Sequence, residues 1–282
     1  MTILILERIS SGKINILEVF VMSYTEMRFV VPSGFNVTKT VLPDGRCVYT
    51  AKPISDIAYN QRKRMFIPYS VAPWGLNEYW MHPNPPTQKE RDFMNLLKTA
   101  IKLELPKFWI PRCAPSRKEN GGICYEPGKM PALDMSFNEW CIAAKEFSPA
   151  FGSCLCTDLE YVVVLATLIK AFVDSGMSVE SAWHSVCVNS LALGHYYNSP
   201  DTKHTVEPTG RREIFGVCDY GNVNYIVRCS DVNYDFCLAG GSYFDESSRR
   251  PLATLLKIRG TYNNNKYDHA TGLIKLTKDP GF

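Results

Sequence analysis

Two short segments near the end of the chain, 244–250 and 262–269, mix aromatic, amide and charged side chains. Aromatic rings can act as rigid anchors in a binding site, while amides and charged groups adapt their hydrogen bonds to the partner. Both segments therefore predict a surface that holds another molecule, with solvated turns as the alternative. The candidate ligand-binding residues are Phe244, Asp245, Arg249, Arg250, Tyr262, Asn264 and Tyr267.

Residues that could support catalysis are scattered. Of the five histidines, His195 and His204 share a polar loop, and His204 stands three residues before Glu207. Pro208 follows directly, which favours a loop over a catalytic helix. The chain has no nucleophile-elbow, zinc-helix or phosphate-loop motif. We therefore predict no catalytic residue, no metal site and no cofactor.

The ten cysteines lack the two-residue spacing of a zinc knuckle, and most lie among apolar residues. A free thiol in such surroundings behaves as a small hydrophobic group. We expect the cysteines to be mostly reduced. The spacings that could form a bridge or a metal site are 113/124 and 154/156.

Composition excludes two classes of partner. The 282 residues carry a formal net charge of +3, from 31 basic and 28 acidic residues, which is too balanced for a nucleic-acid surface. No apolar run approaches the roughly 20 residues that cross a bilayer. The first residues also lack the apolar region of a signal peptide. We expect the chain neither to bind nucleic acid nor to insert into a membrane. We also expect it not to be secreted.

The stretch 236–245 organises the second half of the chain. Apolar residues run directly into Gly240 and Gly241, followed by Ser242 and Tyr243. This pattern predicts a buried strand that ends where another segment can approach the backbone closely.

Three helix starts carry the same local signal, a serine or threonine three residues before a glutamate, at 87–90, 136–139 and 157–160. Such a capping box satisfies the first free backbone donors of a helix. Apolar spacing of three and four residues follows, and the third helix, ending near Gly176, is apolar nearly all round. We expect that helix to be buried centrally. A fourth is predicted from Ser178 toward Gly194.

Short strands are predicted at 108–112, 214–219, 225–229, 234–238 and 273–276. Helices first and strands later imply an α+β domain with an antiparallel sheet. The proline-rich run at 83–86 marks the boundary between a β-rich N-terminal attachment or packing region, 1–86, and the main domain, 87–282. A hairpin around 43–46 is predicted within the first region.

The run Gly-Gly-Ser-Tyr at 240–243 resembles a signature of the formylglycine-generating enzyme (sulfatase-modifying factor) family. Further segments resemble that family in the same order. They are Phe-Trp-Ile-Pro-Arg at 108–112, Lys-Met-Pro at 129–131, Ser-Phe-Asn-Glu-Trp at 136–140, Cys-Thr-Asp-Leu-Glu-Tyr at 156–161, Thr-Gly at 209–210, Gly-Asn-Val at 221–223 and Thr-Gly-Leu at 271–273. The resemblance covers 106–276 and implies a C-type-lectin-like fold, which phage receptor-binding proteins also use.

The departures from the family bear on function. The resemblance implies two copper-binding cysteines at the positions of Asp245 and Arg250, and neither residue has a sulfur atom. The family's calcium-binding strand has an acid where this chain has Tyr225, so we expect Gly221 and Asn222 to support a turn instead.

These features together predict a non-enzymatic virion protein of a tailed phage: a tail-fibre, receptor-binding or capsid-decorating component. Its expected partners are other virion proteins and a host receptor or glycan, and it is expected to form a homo-oligomer. One alternative is a formylglycine-generating-type oxidase whose metal ligands have moved to cysteines such as Cys229 and Cys237. Another is a bacterial carbohydrate-binding module.

Overall fold

A computed structural model of the chain describes residues 4–8, 14–19, 35–41, 47–53, 65–69, 87–190, 206–210, 213–214, 217–245, 248–258 and 265–280. Within these ranges four α-helices pack with several small β-sheets, so the predicted α+β class is confirmed. The helices are α1 Gln88–Lys102, α2 Phe137–Phe147, α3 Asp158–Asp174 and α4 Val179–Cys187.

The helices begin where the sequence predicts. The N-cap hydroxyls of Thr87, Ser136 and Thr157 each accept a hydrogen bond from the N–H of the glutamate three residues on. The carboxylate of that glutamate accepts a hydrogen bond from the backbone N–H of the cap residue. All three capping boxes are thus confirmed. Helix α4 starts after Ser178 as predicted, but it ends at Cys187 instead of extending toward Gly194.

Helix α3 is the buried centre of the molecule, as its sequence predicts. Every one of its residues except Val173 is buried. Even Lys170 and Asp174 lie inside, where they form an ion pair with each other. Because buried charges are tolerated when they are paired, these two residues do not interrupt the helix.

The strands are short and often two residues long. They are β1 Leu4–Arg8, β2 Ile14–Val19, β3 Phe35–Val41, β4 Cys47–Pro53, β5 Phe66–Tyr69, β6 Phe108–Pro111, β7 Ser116–Arg117, β8 Ile123–Cys124, β9 Cys154–Leu155, β10 Glu213–Ile214, β11 Val217–Cys218, β12 Asn224–Arg228, β13 Phe236–Ala239, β14 Leu255–Ile258, β15 Ala270–Gly272 and β16 Ile274–Lys275. The predicted hairpin near residue 43 is confirmed, since β3 and β4 pair antiparallel with Val41 opposite Cys47.

The largest sheet has four strands in the order β14-β13-β12-β15. Strand β13 is antiparallel to both β12 and β14, as predicted, but β12 and β15 run parallel. The sequence did not predict β14 or β15. The sheet is therefore mixed, with one parallel pair at an edge.

Alternate residues of this sheet face two different layers. Ile226, Phe236 and Leu238 pack in the same cluster as Trp140 of α2. Val227 and Cys237, one position along, pack in the cluster that contains α3. The period of two along β12 and β13 thus places α2 and α3 against opposite faces of the sheet.

Strand β5 lies in the predicted N-terminal region but pairs with β6, with Ile67 opposite Ile110. Ile67 and Tyr69 are buried in the cluster that contains α3. The division at residue 86 stays a prediction, and residues 66–69 contribute to the core on the other side of it.

In the part of the chain that the structure describes, we find no helix with both the length and the apolarity to traverse a membrane.

Candidate binding surface

The end of β13 is a crossing point between the sheet and the central helix. Gly240 has φ +75°, and its N–H donates to the carbonyl of Thr254 at 2.7 Å. A Cβ at Gly240 would lie 2.9 Å from the Tyr161 hydroxyl. That hydroxyl donates to the Leu252 carbonyl at 2.8 Å. The close approach that the paired glycines predict is therefore present at Gly240.

The turn that follows is closed by Asp245. Its Oδ2 accepts hydrogen bonds from the N–H and the hydroxyl of Ser242, both at 3.0 Å, and its own N–H donates to the Ser242 carbonyl at 2.8 Å. The two bonds that the Asp245 carboxylate accepts match those of the glutamate in a capping box, but the Asp245 N–H donates to the Ser242 carbonyl instead of the Ser242 hydroxyl. The spacing Ser-x-x-Asp carried this signal in the sequence. Asp245 therefore stabilises the turn formed by residues 242–245.

Asp245 also forms an ion pair with Arg250, whose Nε lies 3.3 Å from Asp245 Oδ1. The Asp245 side chain is 15% exposed and that of Arg250 is 33% exposed. The two positions at which the family resemblance places copper-binding cysteines thus lie side by side. A carboxylate paired with a guanidinium offers no soft sulfur ligand, so this pair does not fit copper.

The far side of this loop is fastened to helix α1. Lys89 Nζ donates to the carbonyls of Ser248 and Arg249, at 3.0 and 2.9 Å. Partial burial lowers the pKa of Lys89 from its ordinary value. The Arg249 side chain is exposed. The two bonds from Lys89 fix the backbone that carries this guanidinium.

Four aromatic rings form a continuous group that we call the aromatic surface: Tyr243, Phe244, Tyr267 and His269. Tyr243 and Phe244 lie 4.6 Å apart between ring centroids, and His269 stands edge-on to both Phe244 and Tyr267 at 6.1 Å. Tyr267 in turn contacts the fully buried Phe236 at 6.0 Å. Phe244 is 62% exposed. The rings therefore connect the core of the sheet to the solvent.

Charged groups surround the aromatic surface. Asp268 Oδ1 lies 2.7 Å from His269 Nδ1, and Lys266 Nζ lies 3.4 Å from Glu139 at the start of α2. Burial, with smaller contributions from the nearby Asp268 and Asp134, raises the pKa of Tyr243. A tyrosine phenol is protonated at neutral pH and can donate a hydrogen bond, and the raised pKa keeps that proton to higher pH.

The surface is anchored to its neighbours through backbone bonds. Tyr243 N–H donates to the Asn222 carbonyl at 3.0 Å, and Asp134 N–H donates to the Tyr267 carbonyl at 3.0 Å. Aromatic rings on a fixed backbone lose little entropy when they bind, which suits them to recognition.

Asn222 belongs to the Gly-Asn-Val segment that resembles the family's calcium-binding strand. Its Oδ1 accepts from the Glu207 N–H and its Nδ2 donates to the Glu207 carbonyl, both at 2.9 Å. Tyr225, where the resemblance would place an acid, is buried with its hydroxyl 3.4 Å from the Cys218 carbonyl. A calcium ion needs about six oxygen ligands including carboxylates, and this set does not fit one.

Asp219 is a buried carboxylate beside this turn. It has φ +69° and accepts hydrogen bonds from the N–H groups of Ala114 and Gly210, at 2.8 and 2.9 Å. Burial raises its pKa to about 6, against the lowering effect of those two bonds. Asp219 therefore connects three separate segments by hydrogen bonds, although burial of its carboxylate disfavours the charged form.

Of the predicted binding residues, the structure brings Phe244, Asp245, Arg250 and Tyr267 into one region. Tyr262 and Asn264 lie outside the described residues, as do His195 and His204. His269 belongs to the aromatic surface but was not predicted to bind. Its place next to Tyr267 and Asp268 in a polar loop was the available signal.

Seven cysteines of the described part of the chain are free thiols, which agrees with the expectation of mostly reduced cysteines, but the sequence did not predict the disulfide that the structure contains. A disulfide joins Cys229 and Cys237, with 5.8 Å between their Cα atoms. The two spacings singled out from the sequence are not bridges, because Cys113, Cys124, Cys154 and Cys156 are free thiols. Cys229 follows β12 and Cys237 lies within β13, so the hairpin itself brings them together. The predicted strands at 225–229 and 234–238 contained that signal.

A scan of the sequence against protein-family models finds no match, and a search of curated proteins finds no relative.

Proposed function

We propose that this chain is a non-enzymatic binding protein of a tailed-phage virion: a tail-fibre, receptor-binding or capsid-decorating component with a C-type-lectin-like domain. Its partners are other virion proteins and a receptor or glycan on the host surface, and it assembles as a homo-oligomer.

The observation that carries this proposal is the ion pair between Asp245 and Arg250 beside the exposed ring of Phe244. These are the positions at which a related oxidase would need two thiolates. Here they stabilise a loop and leave an aromatic group facing solvent. A turn that is fixed by its own hydrogen bonds and lacks the metal ligands is suited to binding rather than to turnover.

Three features of the structure support the resemblance in fold. Gly240 lets the Tyr161 hydroxyl of α3 approach the end of β13. The capping box of α3 lies inside the Cys-Thr-Asp-Leu-Glu-Tyr segment, and Gly272 of the Thr-Gly-Leu segment packs on Trp140. Two of these features, at Gly240 and Gly272, are contacts between a helix and the sheet within segments that carry the resemblance.

The oxidase alternative has one observation in its favour. Cys229 and Cys237, the cysteines to which relocated ligands were assigned, do come together in the fold. Cys237, however, faces the α3 cluster, whereas its neighbour Phe236 faces the layer that leads to the aromatic surface. The two sites thus lie on opposite faces of β13, and a substrate on the aromatic surface would not reach the sulfur atoms.

Binding through Phe244 gives a testable expectation. Purified chain should compete with intact particles for adsorption to host cells, and the Phe244→Ala chain should need roughly 30-fold more protein for the same effect, as is typical of an aromatic hot spot worth about 2 kcal/mol. Because the ring is 62% exposed, its loss should change the free energy of unfolding by less than about 0.5 kcal/mol.

Val232→Ala is the matched control, since Val232 is an apolar side chain that is 99% exposed outside the aromatic surface. It should compete like the original chain. Equal competition by the Phe244→Ala chain, or no competition by any of the three, would refute attachment through this surface.

A further inference from the structure

Two cysteines and an aspartate meet between the start of α3 and the β12–β13 hairpin. A carboxylate oxygen of Asp158 and the sulfur atoms of Cys229 and Cys237 all lie within 4.8 Å of one another. Asp158 and Cys237 are fully buried, while Cys229 is half-buried. The cluster is therefore closed on two sides and open toward solvent at Cys229.

The carboxylate is held in place by the hairpin that carries the sulfurs. Asp158 Oδ1 accepts hydrogen bonds from the N–H of Leu159 at 2.8 Å and from that of Ser230 at 3.0 Å. Ser230 directly follows Cys229, and Arg228 N–H donates to the Cys156 carbonyl at 2.9 Å. The three ligand-bearing side chains thus stand on backbones that are bonded to each other, as a preorganised site requires.

The helix N-terminus beside the cluster favours negatively charged ligands. Asp158 is the first residue of a 17-residue helix, so the positive end of the helix dipole lies at the cluster. A position near a helix N-terminus also favours the thiolate over the thiol.

We propose that, once the disulfide is reduced, Asp158, Cys229 and Cys237 bind a zinc ion. Two thiolates and a carboxylate are ligands that Zn²⁺ accepts, and three protein ligands leave a fourth tetrahedral position for water on the Cys229 side. Softer thiolates exclude calcium and magnesium as the preferred ions. This inference does not rest on the proposed function.

A small-molecule thiol can supply the electrons that reduce the Cys229–Cys237 disulfide. Two reductant thiols become one disulfide, and Cys229 and Cys237 gain two electrons and two protons. Binding of Zn²⁺ then releases those two protons to solvent. Oxidation reverses the sequence, because the sulfurs of a disulfide are no longer thiolates and the ion leaves. A reducing cytoplasm favours the zinc form, and an oxidising exterior favours the disulfide.

Cobalt(II) can report this site, since it takes zinc positions and absorbs light when thiolates bind it. Full-length chain is reduced with a phosphine, the phosphine is removed without oxygen, and Co²⁺ is added. We expect one equivalent to bind with a thiolate charge-transfer band, which Zn²⁺ then abolishes. The oxidised chain should show no band.

Two variants and one control assign the ligands. Cys229→Ser should remove the band. Asp158→Asn should bind Co²⁺ at least about tenfold more weakly, because even loss of a second-shell partner costs about 10- to 100-fold. Its amide oxygen can still accept from Leu159 and Ser230, so the fold should persist. Cys141→Ser, which removes a half-buried free thiol elsewhere, should leave binding unchanged.

A reduced chain that gives no thiolate band would overturn the proposal, as would a band that survives in Cys229→Ser. Unchanged affinity in a folded Asp158→Asn chain, judged by its near-ultraviolet circular dichroism, would remove the aspartate from the site and so contradict the three-ligand arrangement. If that variant does not fold, the Cys229→Ser and oxidised samples still decide whether the cysteine pair binds metal.

Discussion

Replacing Gly272 by alanine should destabilise the protein by about 3 kcal/mol or more, the upper end of what overpacking a core costs. Gly272 lies in β15 with its Cα face against the indole of Trp140, which is fully buried. A Cβ there would stand 2.4 Å from Cε3 and 2.5 Å from Cδ2 of that ring. Neither the ring nor the strand can move freely, because β15 pairs with β12 and the indole fills the space between α2 and the sheet.

Urea denaturation measures this effect as a fall in the midpoint without a change in the slope. Gly122→Ala is the matched control: a Cβ at Gly122 would meet nothing closer than 3.4 Å, in an exposed loop. It should change the free energy of unfolding by less than about 0.5 kcal/mol. Two glycine substitutions of similar cost would show that β15 does not pack on α2 as described.

The second large effect concerns pH and Asp219. Burial raises the pKa of this carboxyl to about 6 from its ordinary value of 3.8. Between these two values the folded chain binds more protons than the unfolded chain, so the free energy of unfolding falls as pH rises. The contribution of Asp219 is fully present below about pH 4 and is lost by about pH 6, a change of roughly 3 kcal/mol.

Asp219→Asn should lack this part of the pH dependence, because an amide does not titrate. The measurement is the free energy of unfolding of both chains by urea at several pH values from 4 to 7. Asn120→Ala, which removes an exposed amide and no ionisable group, should keep the original slope. A slope that is identical in the Asp219→Asn chain would mean that Asp219 is not the buried acid that drives it.

Local signals were sufficient to predict the helices. A capping box needs only residues three apart, and the apolar spacing that follows needs only the next few turns. The starts of α1, α2 and α3 and the burial of α3 could therefore be derived before any tertiary contact was known. The end of α4 was predicted too late because the chain up to Gly194 offers no strong stop signal.

Pairing between distant segments could not be predicted. Strand β15 is three residues long and parallel to β12, about 45 positions earlier, and nothing local specifies that choice. Strand β5 likewise pairs with β6 across the proline-rich run at 83–86. The choice of partner depends on the packing of whole layers, which a single sequence does not reveal.

The binding surface could be predicted only in part, because it too depends on contacts between distant segments. Residues in the two candidate segments were recognised by type, but their contact depends on the turn that Asp245 closes and on the stack from Phe236 to Tyr267. The disulfide was not predicted because Cys237 lies in an apolar strand, where a cysteine ordinarily behaves as a free, buried hydrophobic group. A hairpin brings together residues at diagonal positions, here Cys229 and Cys237.

Conversion of a cysteinyl peptide to an aldehyde tests the central claim most directly. The reduced chain, supplied with one equivalent of copper(I) and dioxygen, is incubated with the peptide, and aldehyde is captured by a hydrazide reagent and measured by mass spectrometry. Because Asp245 and Arg250 form an ion pair where the resemblance would place the two thiolates of an oxidase, we expect no more aldehyde than copper gives alone. Aldehyde that depends on the chain and disappears in Cys237→Ser would contradict a binding role and establish an oxidase with relocated ligands.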